Sequence, residues 1–401
     1  MRVFPARRAV SGSLAVRFVP DLSTERLVFR LWPNGPLQRD AGAHLVTRQV
    51  RVDGERAPTA RPDPTTLVVV PEARLVAGRP VRTTLRWRLR VPGPILDRIS
   101  APGSAMRLGS FFPILAWEPG RGWARQPPTT LLGETSSSPT ADFRVRVDAP
   151  PGLQVVASGR RRGQVWRATA VRDFALAIGR FRIVRGVVHA PHPVAVSVGV
   201  IEGLRPAAGR FLASVRRALT DLHARFGPYP WDTFSLAVMP DLEGAGIEYP
   251  TMVFQGPQSL TRATTHEVAH SWFYALVGNN QARDPWLDEG LTSWAQARGD
   301  RILQWFRRVP VPPSVRGATG RPMPFWERHP DAYFAGVYAQ GVRALASLGP
   351  PRLVDCALRH YVRRNAYGIA RTHDLLDSLE RVFPDAPRRL EAFGIDSGGE
   401  R

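Results

Sequence analysis

The chain has 401 residues, 43% of them hydrophobic, which suggests two or three domains with cores large enough to stand without disulfides. Its net charge of +21 comes from 55 basic and 34 acidic side chains, and every basic residue is Arg. Total absence of Lys marks a coding bias, so the excess is expected to spread along the chain, with no basic stripe and no specific nucleic-acid partner. The lone Cys356 excludes an intrachain disulfide and cysteine-based metal sites, so any metal must rely on His and carboxylates. In its apolar helical setting Cys356 is expected to be a small buried hydrophobe.

No apolar run approaches the roughly 18 residues needed to span a bilayer, so no membrane partner is expected. Near the N-terminus Ser11, Gly12 and Ser13 interrupt any signal-peptide core. As written the chain is expected to be cytoplasmic; an upstream start carrying an export signal would make it secreted.

From Arg8 to Gly199 short alternating or β-branched runs are separated by Pro/Gly turns, among them Leu14–Phe18, Leu27–Leu31, Val46–Val52, Val81–Val91 and Phe174–Val184. This spacing predicts an antiparallel, β-sandwich-like domain over residues 1–200. Within it, the Trp/Pro/Gly-rich stretch from Phe111 to Trp123 reads as a long ordered loop with no assigned chemistry. After Glu202 the period becomes helical, with Phe211, Val215, Leu219, Leu222 and Phe226 at three- and four-residue steps until Gly227-Pro228. A strand-like Phe234–Met239 and an extended Ile247–Phe254 follow, then more helical periodicity. The second domain, residues 201–396, is therefore expected to be mostly helical, and the fold class multi-domain α+β.

Chemistry concentrates in Thr265-His266-Glu267-Val268-Ala269-His270. On a helix, His266 and His270 project from one face and both can bind one zinc ion, while Glu267 sits beside the open coordination position as a general base. The decisive third ligand is Glu289, which follows His270 after eighteen intervening residues, just past the helix-start signal Asp284-Pro285. Two His and one Glu leave a fourth position vacant, the catalytic pattern for a single zinc per chain.

With these residues the sequence resembles the aminopeptidase N family of gluzincin zinc metallopeptidases, over roughly Pro228 to Ala346. The family's signature, H-E-x-x-H, eighteen residues, then Glu, matches His266, Glu267, His270 and Glu289. The resemblance implies a thermolysin-like zinc peptidase domain after the sheet domain, and a short form without the family's long C-terminal helical domain. It also implies two substrate-binding positions in Ala245-Gly246-Ile247-Glu248-Tyr249. There Gly246 lies on extended backbone that pairs with the peptide, and Glu248 binds the free α-amine. Ala245, Ile247 and Tyr249 depart from the family's G-x-M-E-N pattern. Tyr338 takes the position of the family's oxyanion-stabilising tyrosine, and Gln296 stands where many relatives carry Glu.

The expected activity is a zinc-dependent aminopeptidase acting on peptides with a free N-terminus, zinc-bound water being activated by Glu267 and the oxyanion stabilised by Tyr338. Two alternatives remain open at this stage: a zinc endopeptidase with an open cleft, and a catalytically silent peptide-binding module.

Overall fold

The computed structural model describes residues 1–131, 137–260 and 263–396. The N-terminal part is built on strand alternation. Along β3 (Val81–Arg90), Val81, Thr83, Leu85, Trp87 and Leu89 are buried, whereas Arg82, Arg86, Arg88 and Arg90 are exposed. This strand lies between β1 (Ala9–Phe18) and β2 (His44–Val52), antiparallel to both, in a five-stranded sheet. Smaller antiparallel sheets, including Leu27–Arg30 with Thr66–Val69 and Met106–Leu108 with Leu176–Gly179, face it across a core containing Phe29, Leu45, Leu89, Phe111 and Phe174. The layers form the expected β-sandwich-like unit.

The Phe111 to Trp123 stretch is not a plain loop. It contributes the short strands Ile114–Leu115, Trp117–Glu118 and Gly122–Trp123. The Trp117 ring packs edge-on against Trp123 at 4.7 Å and Phe18 at 5.3 Å, and its indole N–H donates to Asp21 at 2.7 Å. Packing Trp117 and the partly buried Trp123 against Phe18 ties the stretch to the core, which its turn-rich composition conceals.

A second sheet serves the other half of the molecule. β4 (Phe181–His189) and β5 (Pro193–Ile201) form an antiparallel pair, β5 runs parallel to β6 (Thr233–Val238), and β6 runs parallel to β8 (Met252–Gln255). β8 turns back antiparallel on the edge strand β7 (Gly246–Tyr249). β5 thus hydrogen-bonds a strand far downstream and brings β4 into the same sheet. A division at residue 200 would cut this sheet, so we propose a domain boundary between Gly179 and Phe181. The run from Phe174 to Val184 reads as one strand because nothing in its apolar pattern marks the change of sheet at Arg180.

The parallel β5–β6 connection contains α1 (Ala208–Phe226), which buries Phe211, Val215, Leu219, Leu222 and Phe226. It stops at Gly227, whose φ of 107° suits glycine. Then come α2 (Thr264–Ala269) and α3 (Pro285–Gly299), the latter opening with Pro285 at its first turn and buried almost throughout. α4 (Leu303–Arg308), a π-helical turn over Phe334–Ala339, and α5 (Gln340–Leu348) complete the walls of a cleft. Backbones of α3 and α5 touch at Gly290 and Gly341, where a Cβ on Gly341 would come 2.8 Å from the Gly290 Cα. Beyond them, α6 (Pro351–Asn365) carries Cys356 on its solvent side, exposed and not buried. Its neighbours Val354, Ala357 and Leu358 take the apolar face. Among the described residues no helix is long and apolar enough to cross a membrane.

Candidate active site

His266 and Glu267 project from α2, and His270 caps its C-terminal end. The two imidazoles meet edge to face, with ring centroids 4.8 Å apart. From α3, the Glu289 Oε2 reaches to 3.1 Å from His266 Nε2 and 3.7 Å from His270 Nε2. One ligand atom from each residue lies within 4.8 Å of the others. Two ring nitrogens and a carboxylate oxygen converging on one point are a donor set that fits zinc. Glu267 Oε2 is buried beside them with no hydrogen-bond partner among the described residues, an arrangement that calls for a further polar group in the cleft.

The supporting contacts were not apparent from the sequence. Asp288, one position before Glu289, places Oδ1 2.7 Å from His270 Nδ1 and accepts a 2.5 Å hydrogen bond from Gln281 on its other oxygen. Thr292 Oγ1 lies 3.2 Å from the same ring nitrogen. Together they leave His270 Nε2 to face the cleft. The available signal was a second carboxylate adjacent to the proposed ligand. Gln296 lines the cleft and hydrogen-bonds Asp300.

Crowding of buried charge perturbs Glu267, Asp288 and Glu289. Burial pushes the Glu267 carboxyl well above the ordinary range; His270 opposes this, and Glu248, Glu289 and Asp288 add to it. Burial likewise lifts Asp288 to about 6 against the pull of His270. Burial would raise Glu289 too, but His270, His266 and a hydrogen bond from Tyr338 hold it down to about 2. The His270 imidazole loses solvation, yet Asp288, Glu289 and Glu248 raise its affinity for a proton well above normal.

β7 forms the facing wall. A Cβ on Gly246 would overlap the Glu267 carboxyl group, so this strand can lie against α2 only with glycine there. Glu248 is 7% exposed, and one of its carboxylate oxygens lies within 4.8 Å of ligand atoms of both Glu267 and His270. It is ion-paired to Arg98 of the N-terminal unit at 3.1 Å, and Arg98 also donates to the Tyr249 hydroxyl at 3.2 Å. The bulk of Tyr249 is accommodated over Gly109, where a Cβ would collide with its ring. Arg98 carries no local motif and comes to the site from a distant part of the chain, which is why sequence reasoning missed it.

Tyr338 sits on the π-helical turn, an irregularity found often at functional sites. Its ring lies nearly parallel to that of His266, 5.8 Å away at 9°. The cleft has a volume of about 840 Å³, and Trp305, Phe306 and Phe334 provide its apolar wall.

No protein-family model matches the chain. It is 40% identical to aminopeptidase B of Rattus norvegicus over 204 residues, covering 43% of this chain and 30% of that protein. It is 25% identical to leukotriene A-4 hydrolase of Xenopus laevis over 283 residues, or 60% of this chain and 45% of that protein. The chain thus spans less than half the length of these two relatives. Its fold matches the crystal structure of an M1 zinc metallopeptidase from Deinococcus radiodurans with a TM-score of 0.72 at 19% identity, over 98% of this chain and 92% of that one. A yeast LTA4 hydrolase bound to bestatin matches with a TM-score of 0.67 at 18% identity, over 97% of this chain and 64% of that one.

Proposed function

We propose that this chain, which by sequence and fold belongs to the aminopeptidase N (M1) family of zinc metallopeptidases, removes N-terminal residues from peptides with a free α-amine. The observation that carries this reading is the convergence of His266, His270 and Glu289 beside Glu267, in the same cleft as Glu248.

His266, His270 and Glu289 would hold zinc, which supplies Lewis acidity and makes water a nucleophile near neutral pH. Asp288 keeps His270 in the orientation that ligation needs. Glu267, with a free carboxylate oxygen in the cleft, takes the proton of the attacking water and returns it to the departing amine; its raised proton affinity suits that exchange. Tyr338 donates its hydroxyl hydrogen to the oxyanion as the carbonyl carbon becomes tetrahedral. Glu248 attracts the substrate's α-ammonium group, and the Gly246 backbone at the sheet edge offers the peptide an extended partner. Crystal structures of mutant M1 zinc metallopeptidases similar in fold to this chain hold L-arginine or, in the Deinococcus radiodurans protein, a Tyr-Ser-Ala substrate, which supports the choice of peptides as ligands here.

The Arg98–Glu248 ion pair favours a second reading, zinc endopeptidase, because the proposed amine anchor already has a cationic partner. Comparing an amino-acid amide with its N-acetylated form separates the two. Cleavage restricted to the free amine supports the aminopeptidase; equal cleavage of both removes Glu248 as an amine anchor.

A further inference from the structure

We infer that the outer face of the five-stranded N-terminal sheet docks onto anionic lipid bilayers. The uniform dispersal of Arg expected from composition does not hold in three dimensions, because strand alternation sends one set of side chains to a single face. On β3 this set is Arg82, Arg86, Arg88 and Arg90, all exposed. The register places Arg17 of β1 opposite Arg82 and Arg48 of β2 opposite Arg86. A bulge after Arg48 inserts one extra residue into β2 and returns Arg51 to the same face, opposite Thr84.

The other positions in register with these arginines carry Ser, Thr, Ala, Val or His, and Arg56 lies opposite Arg51; the carboxylate beside them, that of Asp53 opposite Arg82, accepts the Arg82 backbone N–H at 2.8 Å. Among the described residues none of the seven guanidinium groups has an ion-pair partner. With 34 acidic to 55 basic side chains in the chain, seven charged positions drawn at random would include about three carboxylates. Coding bias explains why these cations are Arg; it does not explain why none of their guanidinium groups is matched by a counter-charge.

The shape of the patch selects the partner. Charges repeat roughly every 6.8 Å along a strand and about 4.8 Å across strands, a two-dimensional field that matches a plane of headgroup phosphates. Guanidinium groups pair well with phosphate oxygens. A nucleic-acid duplex would be tracked by a stripe, and no Phe, Tyr or Trp occupies these positions to stack on unpaired bases. Val46, opposite Arg88, is the large apolar side chain in these positions and is only partly exposed, so attachment is electrostatic and sensitive to salt.

Sedimentation with phosphatidylcholine vesicles, with and without phosphatidylglycerol, tests this on the full chain. We expect binding to the phosphatidylglycerol vesicles alone, weakening as salt rises. The Arg48→Thr/Arg86→Thr/Arg88→Thr protein should bind about a hundredfold more weakly, and single Arg88→Gln about fivefold, with circular dichroism unchanged. No binding at low salt, or undiminished binding by a natively folded triple variant, would overturn the inference. So would tighter binding of duplex DNA than of vesicles through the same arginines.

Discussion

The Arg98 guanidinium lies 3.1 Å from the Glu248 carboxylate, and both side chains are almost fully buried. A residue of the N-terminal unit therefore neutralises Glu248 in a cleft whose His266, Glu267, His270 and Glu289 belong to the second unit. Removing one partner strands a buried charge. Arg98→Met should cost about 3–5 kcal/mol of stability in urea unfolding, and the double variant with Glu248→Gln should lose much less than the two single losses combined.

Gly246 sets how closely β7 approaches α2. In Gly246→Ala the new methyl group must displace either the strand or the Glu267 carboxyl group. Turnover should fall by about a hundredfold while bound zinc, measured by atomic absorption, stays at the wild-type level.

Asp288 acts through His270. Asp288→Asn should leave the fold intact and weaken zinc binding by about 10- to 100-fold, read from competition with a chromogenic chelator.

These three predictions differ in how far the sequence alone could have supported them. The proposed ligand set was legible as a cluster because its spacing is fixed by helix geometry: His266 and His270 share one turn, and Glu289 follows a Pro-initiated helix start. Gly246 was legible as a position but not as a requirement, since its need for glycine arises from Glu267 on another element. Asp288 was hidden by its adjacency to a stronger candidate, and Arg98 by its sequence distance from Glu248. The boundary expected at residue 200 differs from the one proposed from the sheet for a related reason. Alternation identifies strands but not which sheet they join, and β5 joins a strand more than thirty residues downstream. Period-two spacing along β3 did foreshadow the basic face, but only the register to β1 and β2 reveals its breadth.

Asp173 gives a pH prediction away from the zinc site. Burial raises its carboxyl from 3.8 to about 6, although Ser110 and the Phe174 N–H donate to it at 2.6 Å each. The folded chain holds this proton more tightly than the unfolded one. Its contribution is therefore fully present below pH 3.8 and lost as pH rises through about 6. Asp173→Asn removes that dependence. Relative to the variant, the wild type should lose up to about 3 kcal/mol between those limits and little beyond them, measured by urea unfolding across pH.

The most direct test of the zinc peptidase reading combines metal content with hydrolysis of a fluorogenic amino-acid amide by wild type and Glu267→Gln. We predict one zinc per chain in both proteins, wild-type activity abolished by chelation and restored by zinc, and a Glu267→Gln protein that keeps its metal but loses most of its turnover. Undiminished hydrolysis by the metal-free wild type, or near-normal turnover by Glu267→Gln, would contradict it.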